Sequence, residues 1–300
     1  MNRAARSLRL LALFAFAAWA TSVVDGATQA DEATVIQRLA DKGAKITTAN
    51  GAHSVSVGDC SAWSESDYRA LGSVPRVTGL SLGLGFSEAS LPLLASLTDL
   101  ELFATNGMQL TDEGVKSLTQ FSKLRRLAFF HPSRTFTGRG LDQLAALKNL
   151  EELSIGGSFA VGDEALASIS RIKTLKRLRL WHIGNTNEGV KQLQDLPALE
   201  SLMLGQRLTY DPPACPNDDT VTSLLEMKRL KSLTLMETRL SFSSLARLKQ
   251  LPDLLKLTLD GVELSNEDFE RLKHLMPTVK IDLSKPSEIY QRRIDRLLGQ

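Results

Sequence analysis

The sequence predicts an α/β solenoid, a linear stack of short strand-and-helix units, and three observations predict it. An apolar triplet spaced three and then two residues apart recurs along the chain, as at Leu175, Leu178 and Leu180 and again at Leu199, Leu202 and Leu204. A second apolar series, with members three apart, precedes most of the triplets. The recurrence holds a near-constant period, which points to a stack of like units rather than to one globular centre.

The triplet Leu-x-x-Leu-x-Leu has its middle member at Leu100, Leu127, Leu153, Leu178, Leu202, Leu233 and Leu257, with weaker copies on Val55, Leu80 and Ile281. The steps between centres are 25, 20, 27, 26, 25, 24, 31, 24 and 24 residues. Leu-x-Leu has period two, so each triplet ends in a short strand with one buried face. The three-apart series, such as Val115-Leu118-Phe121, Leu166-Ile169-Ile172 and Phe269-Leu272-Leu275, fits the inner stripe of a short helix. Thr111-Asp112-Glu113, Asn187-Glu188 and Ser265-Asn266-Glu267 place capping and acidic side chains at helix starts, the positive end of the helix dipole. One unit has too few aliphatic anchors to offset the conformational entropy of ordering it, so neighbours must supply the missing burial.

The motifs "LTDLELF", "LRRLAFF", "LEELSIG", "LKRLRLW", "LESLMLG", "LKSLTLM" and "LLKLTLD" resemble the leucine-rich repeat family, and with weaker ends they span roughly residues 44 to 284. The linkers "LTDEGVKSL" and "NTNEGVKQL" are similar to those of secreted bacterial arrays, close to the ribonuclease-inhibitor and F-box-associated subgroup. The resemblance implies a curved right-handed stack, with a parallel sheet on its concave face and short helices on its convex face. The chain departs from the family where Asn or Cys usually follows the strand, having Thr105, Pro132, Ser158, Ile183, Arg207, Thr238 and Val262 instead.

Residues 1–20 read as a secretory signal peptide, with the cut as late as residue 30: Arg3, Arg6 and Arg9 precede an apolar run, and Ala18-Trp19-Ala20 has the small-x-small form of a cleavage site. The run ends near Val24, short of the roughly 20 residues a membrane span needs. An uncleaved anchor is the second reading. Losing three arginines and no acid takes the net charge from +2 to −1. The mature chain is expected to be a soluble monomer without a membrane span, secreted or held in the periplasm or cell envelope. Residues 31–52 form an amino-terminal capping helix and strand, 53–284 the array with an insertion at 207–219, and 285–300 a carboxy-terminal capping helix or tail carrying Ile289, Ile294, Leu297 and Leu298. The three prolines and Cys215 of the insertion mark a surface excursion.

Composition bounds the function. An apolar fraction of 43% supports a large core, and 6% aromatics make that core aliphatic. A net charge of +2 predicts neither nucleic acid nor a polyanion as partner. Cys60 and Cys215 fall in copies six steps apart, about 29 Å at about 4.8 Å per strand. A bridge needs Cα atoms within about 7 Å, so both thiols are expected free unless they pair between chains. No Gly-x-Ser-x-Gly, phosphate-binding Gly-x4-Gly-Lys-Ser/Thr, His-Glu-x-x-His or Cys-x-x-Cys occurs. His131 and His182 share one place in copies two apart, but the intervening copy has Gly157 there, and zinc needs three or four ligands. No metal and no cofactor is expected. Basic residues cluster near Lys123, Lys176 and Lys228, yet the second place of the triplet reads Arg125, Glu151, Lys176, Glu200, Lys231. Alternating signs on adjacent strands support one another and do not suit phosphates.

The residues that alternate with the buried leucines face outward, and the resemblance makes that the concave, partner-binding face. Their last column reads Gly83, Phe103, Phe130, Gly156, Trp181, Gly205, Met236, Asp260, with Met203 one place earlier. Gly156-Gly157 would leave a notch about 10 Å wide between a Phe130-His131 wall and a Trp181-His182 wall, bordered by Arg126, Arg177 and Arg179. Trp, Phe and Met are enriched at interface centres. The function read from the sequence is an exported, non-enzymatic module that binds a protein or peptide on this face. The alternative is a structural or adhesion protein that self-associates in the envelope. An enzyme built on His131 and His182 ranks third.

Overall fold

The structure is a computed structural model that describes residues 31–107, 109–207 and 214–298. The expected signal segment, the tip of the insertion at 208–213 and the side chains of Leu297 and Leu298 lie outside the described residues.

Among the described residues, eleven strands pair in chain order into one open sheet. They are β1 (Lys45–Ala49), β2 (Ala52–Asp59), β3 (Val77–Leu84), β4 (Leu102–Asn106), β5 (Arg126–Phe130), β6 (Glu152–Ser158), β7 (Arg177–Ile183), β8 (Ser201–Gly205), β9 (Ser232–Met236), β10 (Lys256–Asp260) and β11 (Lys280–Ser284). The pair β1–β2 is antiparallel and every later pair is parallel. Asn50 and Gly51, at φ 52° and 73°, make the two-residue turn of the first hairpin, a geometry that favours Asn-Gly. All other connections carry the chain across the convex side and back.

Register stacks like on like. Leu80, Phe103, Leu127, Leu153, Leu178, Leu202, Leu233, Leu257 and Ile281 form one continuous row. This corrects the expectation for one repeat. The triplet of β4 is Leu100-x-x-Phe103-x-Thr105, so its centre is Phe103 and the steps on either side of it even out. Phe103 is therefore core, 0% exposed, and does not lie on the outer face. Phe and Thr in place of two leucines hid the motif, while Leu97 and Leu100 in the preceding turn imitated it. Thr105 is buried, and its Oγ1 has no hydrogen-bond partner. With the triplet moved, Thr105 is also not the post-strand residue of its repeat. That place falls at position 108, outside the described residues.

The convex side changes character along the stack. Residues Glu88–Leu94, Gly114–Gln120 and Arg139–Ala146 are 3-10 helices, whose three residues per turn account for the three-apart apolar spacing. The later units have short α-helices: α3 (Asp163–Ile169), α4 (Asn187–Gln192), α5 (Asp218–Leu224), α6 (Phe242–Arg247) and α7 (Asn266–Leu275). In the ten-residue α7 the longer α period takes over: Met276, four after Leu272, is buried, and Leu275, three after it, is exposed. The acids at the helix starts do more than favour the dipole, because they reach into the next unit. Glu88 accepts from the Thr111 amide at 2.7 Å, Asp112 from the Gly138 amide at 2.7 Å, Asp163 from the Thr186 amide at 2.7 Å and Asp218 from the Ser241 amide at 2.9 Å. Amides left unpaired by helix geometry are thus satisfied across the repeat boundary.

The core is aliphatic in its carboxy-terminal part. The amino-terminal part instead holds a run of ring contacts, Trp63–Tyr68–Phe86–Phe103–Phe121, with centroids 5.3 to 6.1 Å apart. At that end the helix at 31–41, α1, closes the stack. Its Arg38, and Lys42 in the turn after it, meet the buried Asp67 of α2 (Glu65–Ser73) at 3.2 and 3.6 Å, and Glu32 meets His53 at 2.8 Å. Among the described residues no helix is long and apolar enough to cross a membrane.

The register makes a test available. Phe103→Ala is expected to cost about 3–5 kcal/mol, measured by guanidinium unfolding, because it empties a place inside the ring run. Phe130→Ala, on the outer face, is expected to cost about 0.5–1.5 kcal/mol, the worth of one aromatic pair. The reverse order would overturn the register.

Candidate protein-binding face

Side chains that alternate with the core row stand on the open face of the sheet. On β5 these are Arg126, Ala128 and Phe130, on β6 Glu152, Ser154 and Gly156, on β7 Arg177, Arg179 and Trp181, and on β8 Ser201, Met203 and Gly205. Met236 on β9 continues the same row, which then runs on to Asp260 and Ser284. The structure therefore brings together Arg126, Phe130, Gly156, Arg177, Arg179, Trp181, Met203 and Met236, and excludes Phe103. Asn106 takes the place in that row expected for Phe103, opposite Phe130.

The expected notch is filled. A Cβ on Gly156 would collide with the Trp181 indole, and one on Gly157 with the His131 ring. The indole lies across Gly156 and meets Phe130, ring centroids 5.3 Å apart. Gly205 on the other side leaves space beside the Trp181 backbone. Two glycines thus make room for one large side chain, and the result is an aromatic platform continued by Met203 and Met236, all four side chains half-buried. Sequence spacing showed the missing side chains but not which way the indole would lean.

The next column has a left-handed backbone at His131, His182 and Glu237, with φ 45°, 50° and 54°, and at Gly107, Gly157 and Gly261. That conformation costs a residue with a Cβ about 1–2 kcal/mol. Side-chain contacts account for its retention. His131 Nδ1 lies 3.0 Å from Asn106 Oδ1, and His182 Nε2 lies 2.7 Å from Oε2 of the buried Glu237. The two histidines are thus engaged with different strands. Among the described residues no three His, Cys, Asp or Glu side chains converge for a metal ion.

The rim above β7–β9 contains groups that sequence reasoning missed. Gln206 is fully buried. Its Oε1 accepts from the Arg207 and Cys215 amides at 3.0 Å each, and its Nε2 donates to the Glu237 carbonyl at 3.4 Å. Cys215 is a buried free thiol rather than part of a surface excursion, and burial pushes its pKa up to about 12. Cys60 is likewise buried and free. The carboxy-terminal helix α8 (Glu288–Leu298) then folds back over the rim rather than extending the stack. Tyr290 lies 6.3 Å from the His182 ring, Asp295 pairs with Arg239 at 3.0 Å, and Gln291 donates to Glu263 at 3.4 Å. Ile294 is buried beneath it and Ile289 is exposed. Gln206 and Glu237 interrupt a column of Gly and His and could have been noticed, but nothing in the spacing marks Tyr290.

A ladder of charge runs along the strand starts. Arg125 and Lys176 flank Glu151 at 2.9 and 2.7 Å, and Lys231 meets Glu200 at 2.9 Å. Arg177 is paired with Glu152. Lys176 first, and then Arg125, hold the Glu151 carboxyl down at about 2.

The geometry defines the chain as a leucine-rich repeat protein, with strands in register on one face and short helices on the other. Sequence relatives agree over part of the chain. A segment of 127 residues is 35% identical to F-box/LRR-repeat protein 12 of Bos taurus, covering 41% of this chain and 38% of that protein. The Homo sapiens protein of the same name is 33% identical over 129 residues, with the same shares covered. The chain thus spans about two fifths of the length of the curated relatives it matches. Among solved structures, an internalin InlF of Listeria monocytogenes aligns over 80% of both chains at 16% identity with TM-score 0.39. Internalin C2 of the same species aligns over 74% of this chain and 84% of its own at 15% identity with TM-score 0.40. No family model matches the chain. Stacks of this class present extended concave surfaces suited to binding.

Two outcomes follow from this geometry. Gly156→Ala is expected to push the indole off Phe130, seen as a red shift of Trp181 emission and a loss of near-ultraviolet dichroism, with the buried Trp63 as internal reference. Unchanged spectra would contradict the packing. Glu151 has a folded pKa below its unfolded value, so its stabilisation is present above the unfolded value and is lost as pH falls through the folded one. Glu151→Gln is therefore expected to cost about 1 kcal/mol at neutral pH. Denaturant titrations should show that gap closing between pH 5 and about 2, and a gap independent of pH would refute the assignment.

Proposed function

We propose that the chain is a non-enzymatic binding module that holds a protein or peptide on the open face of its sheet, centred on Phe130, Trp181, Met203 and Met236. The observation that carries this reading is the Phe130–Trp181 platform. Two large rings are half-buried on a face with no core to enter, and flanking glycines make the space they occupy. Aromatic and methionine side chains in such a place are the usual centres of recognition surfaces. Arg126, Arg177 and Arg179 border the platform and set its polarity. Export rests on the Arg-flanked apolar run and the Ala18-Trp19-Ala20 pattern at the amino terminus. The compartment of action is then outside the cytoplasm or in the cell envelope.

The test is affinity capture from an envelope fraction of the source cells, with the unaltered chain compared with the Phe130→Ala, Trp181→Ala double variant. The expected result is at least one protein whose recovery falls tenfold or more in the variant while circular dichroism and the melting temperature stay close to those of the parent. Equal recovery with an intact fold would remove the reading. Concentration-dependent oligomers in sedimentation velocity, abolished by the same double variant, would replace it with self-association.

A further inference from the structure

Charge on the open face is unevenly satisfied. Around the platform, Arg125, Arg177, Lys176 and Lys231 all meet carboxylates. Arg126 and Arg179 do not, and among the described residues neither guanidinium has an ion-pair or hydrogen-bond partner. The register explains why. Arg126 and Arg177 stand on either side of Glu152 in one row, and Glu152 is taken by Arg177. Arg179 has Ser154 and Met203 as row neighbours, and the acid of its row, Asp282, stands four strands away. Each unpaired cation shares a strand face with a ring, Arg126 with Phe130 and Arg179 with Trp181. Ala128 and Ser154 keep the floor between them low.

Resting on the binding role proposed above, we infer that the partner is an acidic protein segment with a large apolar side chain close to its carboxylates. Arg179 and Trp181 are two residues apart on one strand, about 7 Å at about 3.4 Å per residue. An extended segment with Asp or Glu two residues from Phe, Trp or Leu reaches both. Its second acid meets Arg126 across β6. Arg forms bidentate hydrogen bonds with carboxylates, and a guanidinium beside an aromatic platform does so with partial exclusion of water. Nucleic acid fits less well. Glu152 stands in the middle of the patch, the charge ladder at the strand starts alternates in sign, and Met203 and Met236 offer nothing to phosphate.

The experiment is selection of a random twelve-residue phage-displayed peptide library on the full chain, followed by fluorescence anisotropy of the recovered peptides. The expected peptides carry Asp or Glu within two to four residues of Trp, Phe or Leu. Their affinity is expected to fall at least tenfold in the Arg126→Ala, Arg179→Ala double variant. That variant should keep the parent's melting temperature, since both side chains are exposed and unpaired. Affinity should also weaken with added salt. Peptides that need Phe130 and Trp181 but show no acidic bias, or that ignore the arginine variant, would overturn the inference and leave the binding face standing. Absence of any peptide dependent on Phe130 and Trp181 would remove the underlying reading as well. A labelled twenty-nucleotide oligothymidine that binds with the same arginine dependence, and displaces the peptides, would overturn the inference in favour of single-stranded nucleic acid.

Discussion

A single repeat of this chain cannot bury enough apolar surface to hold itself ordered, and every other feature of the structure depends on that deficit. The remedy is a continuous row of apolar side chains, from Leu80 to Ile281, each sealed by the units before and after it. Sealing demands register, because a one-residue slip in any strand would turn its whole buried set toward water. Register in turn aligns everything else. The acids of the convex side come within reach of the next unit's amides, and Arg125, Glu151 and Lys176 become neighbours. Phe130, Gly156 and Trp181 then share one row of the open face. The outer surface is a by-product of the core's period, so its chemistry can vary while its geometry stays fixed.

Much of this was legible in the sequence because the signals were periodic and redundant. Leucines at 175, 178, 180 and again at 199, 202, 204 give the strand, its buried face and the unit length at once. Redundancy failed at β4, where Phe103 and Thr105 replaced leucines and Leu100 in the preceding turn supplied a false centre. A row read across strands recovers the correct phase, since Phe103 is the residue that keeps the steps even. The convex series was equally legible as a buried stripe. Only the backbone distinguishes the 3-10 form at Gly114–Gln120 from the α form at Asn266–Leu275, where burial moves from Leu275 to Met276.

The candidate face was legible as composition but not as shape. Column reading put Phe130, Gly156, Trp181 and Met236 in one row, and pairing places them so. It also suggested a gap at Gly156, because it treated a missing side chain as empty space. A large neighbour on a sheet with a strand spacing of about 4.8 Å leans into any such space, and the indole does. Contacts that span several strands left no local trace. His182 meets Glu237, 55 residues away, and Asp295 meets Arg239, 56 residues away. These are pairings of rim and tail, set by where the chain returns rather than by any period.

Rim and face therefore play different parts. Above β7–β9 the backbone is pinned by Gln206, the returning limb at Cys215 and the His182–Glu237 contact, with α8 laid over them. Two non-glycine residues there hold left-handed backbone, which persists only where surrounding contacts fix it. Just below, Trp181 and Arg179 face outward from the same strand whose end is so held. A platform on a strand fixed by neighbours on both sides and by a rim above loses little freedom when a partner settles on it. Less of the contact energy is then spent on ordering the site, and a modest patch can be selective. On the proposed binding role, α8 bounds the platform along one edge and open sheet extends toward β5, so the approach lies across Arg126 and Phe130.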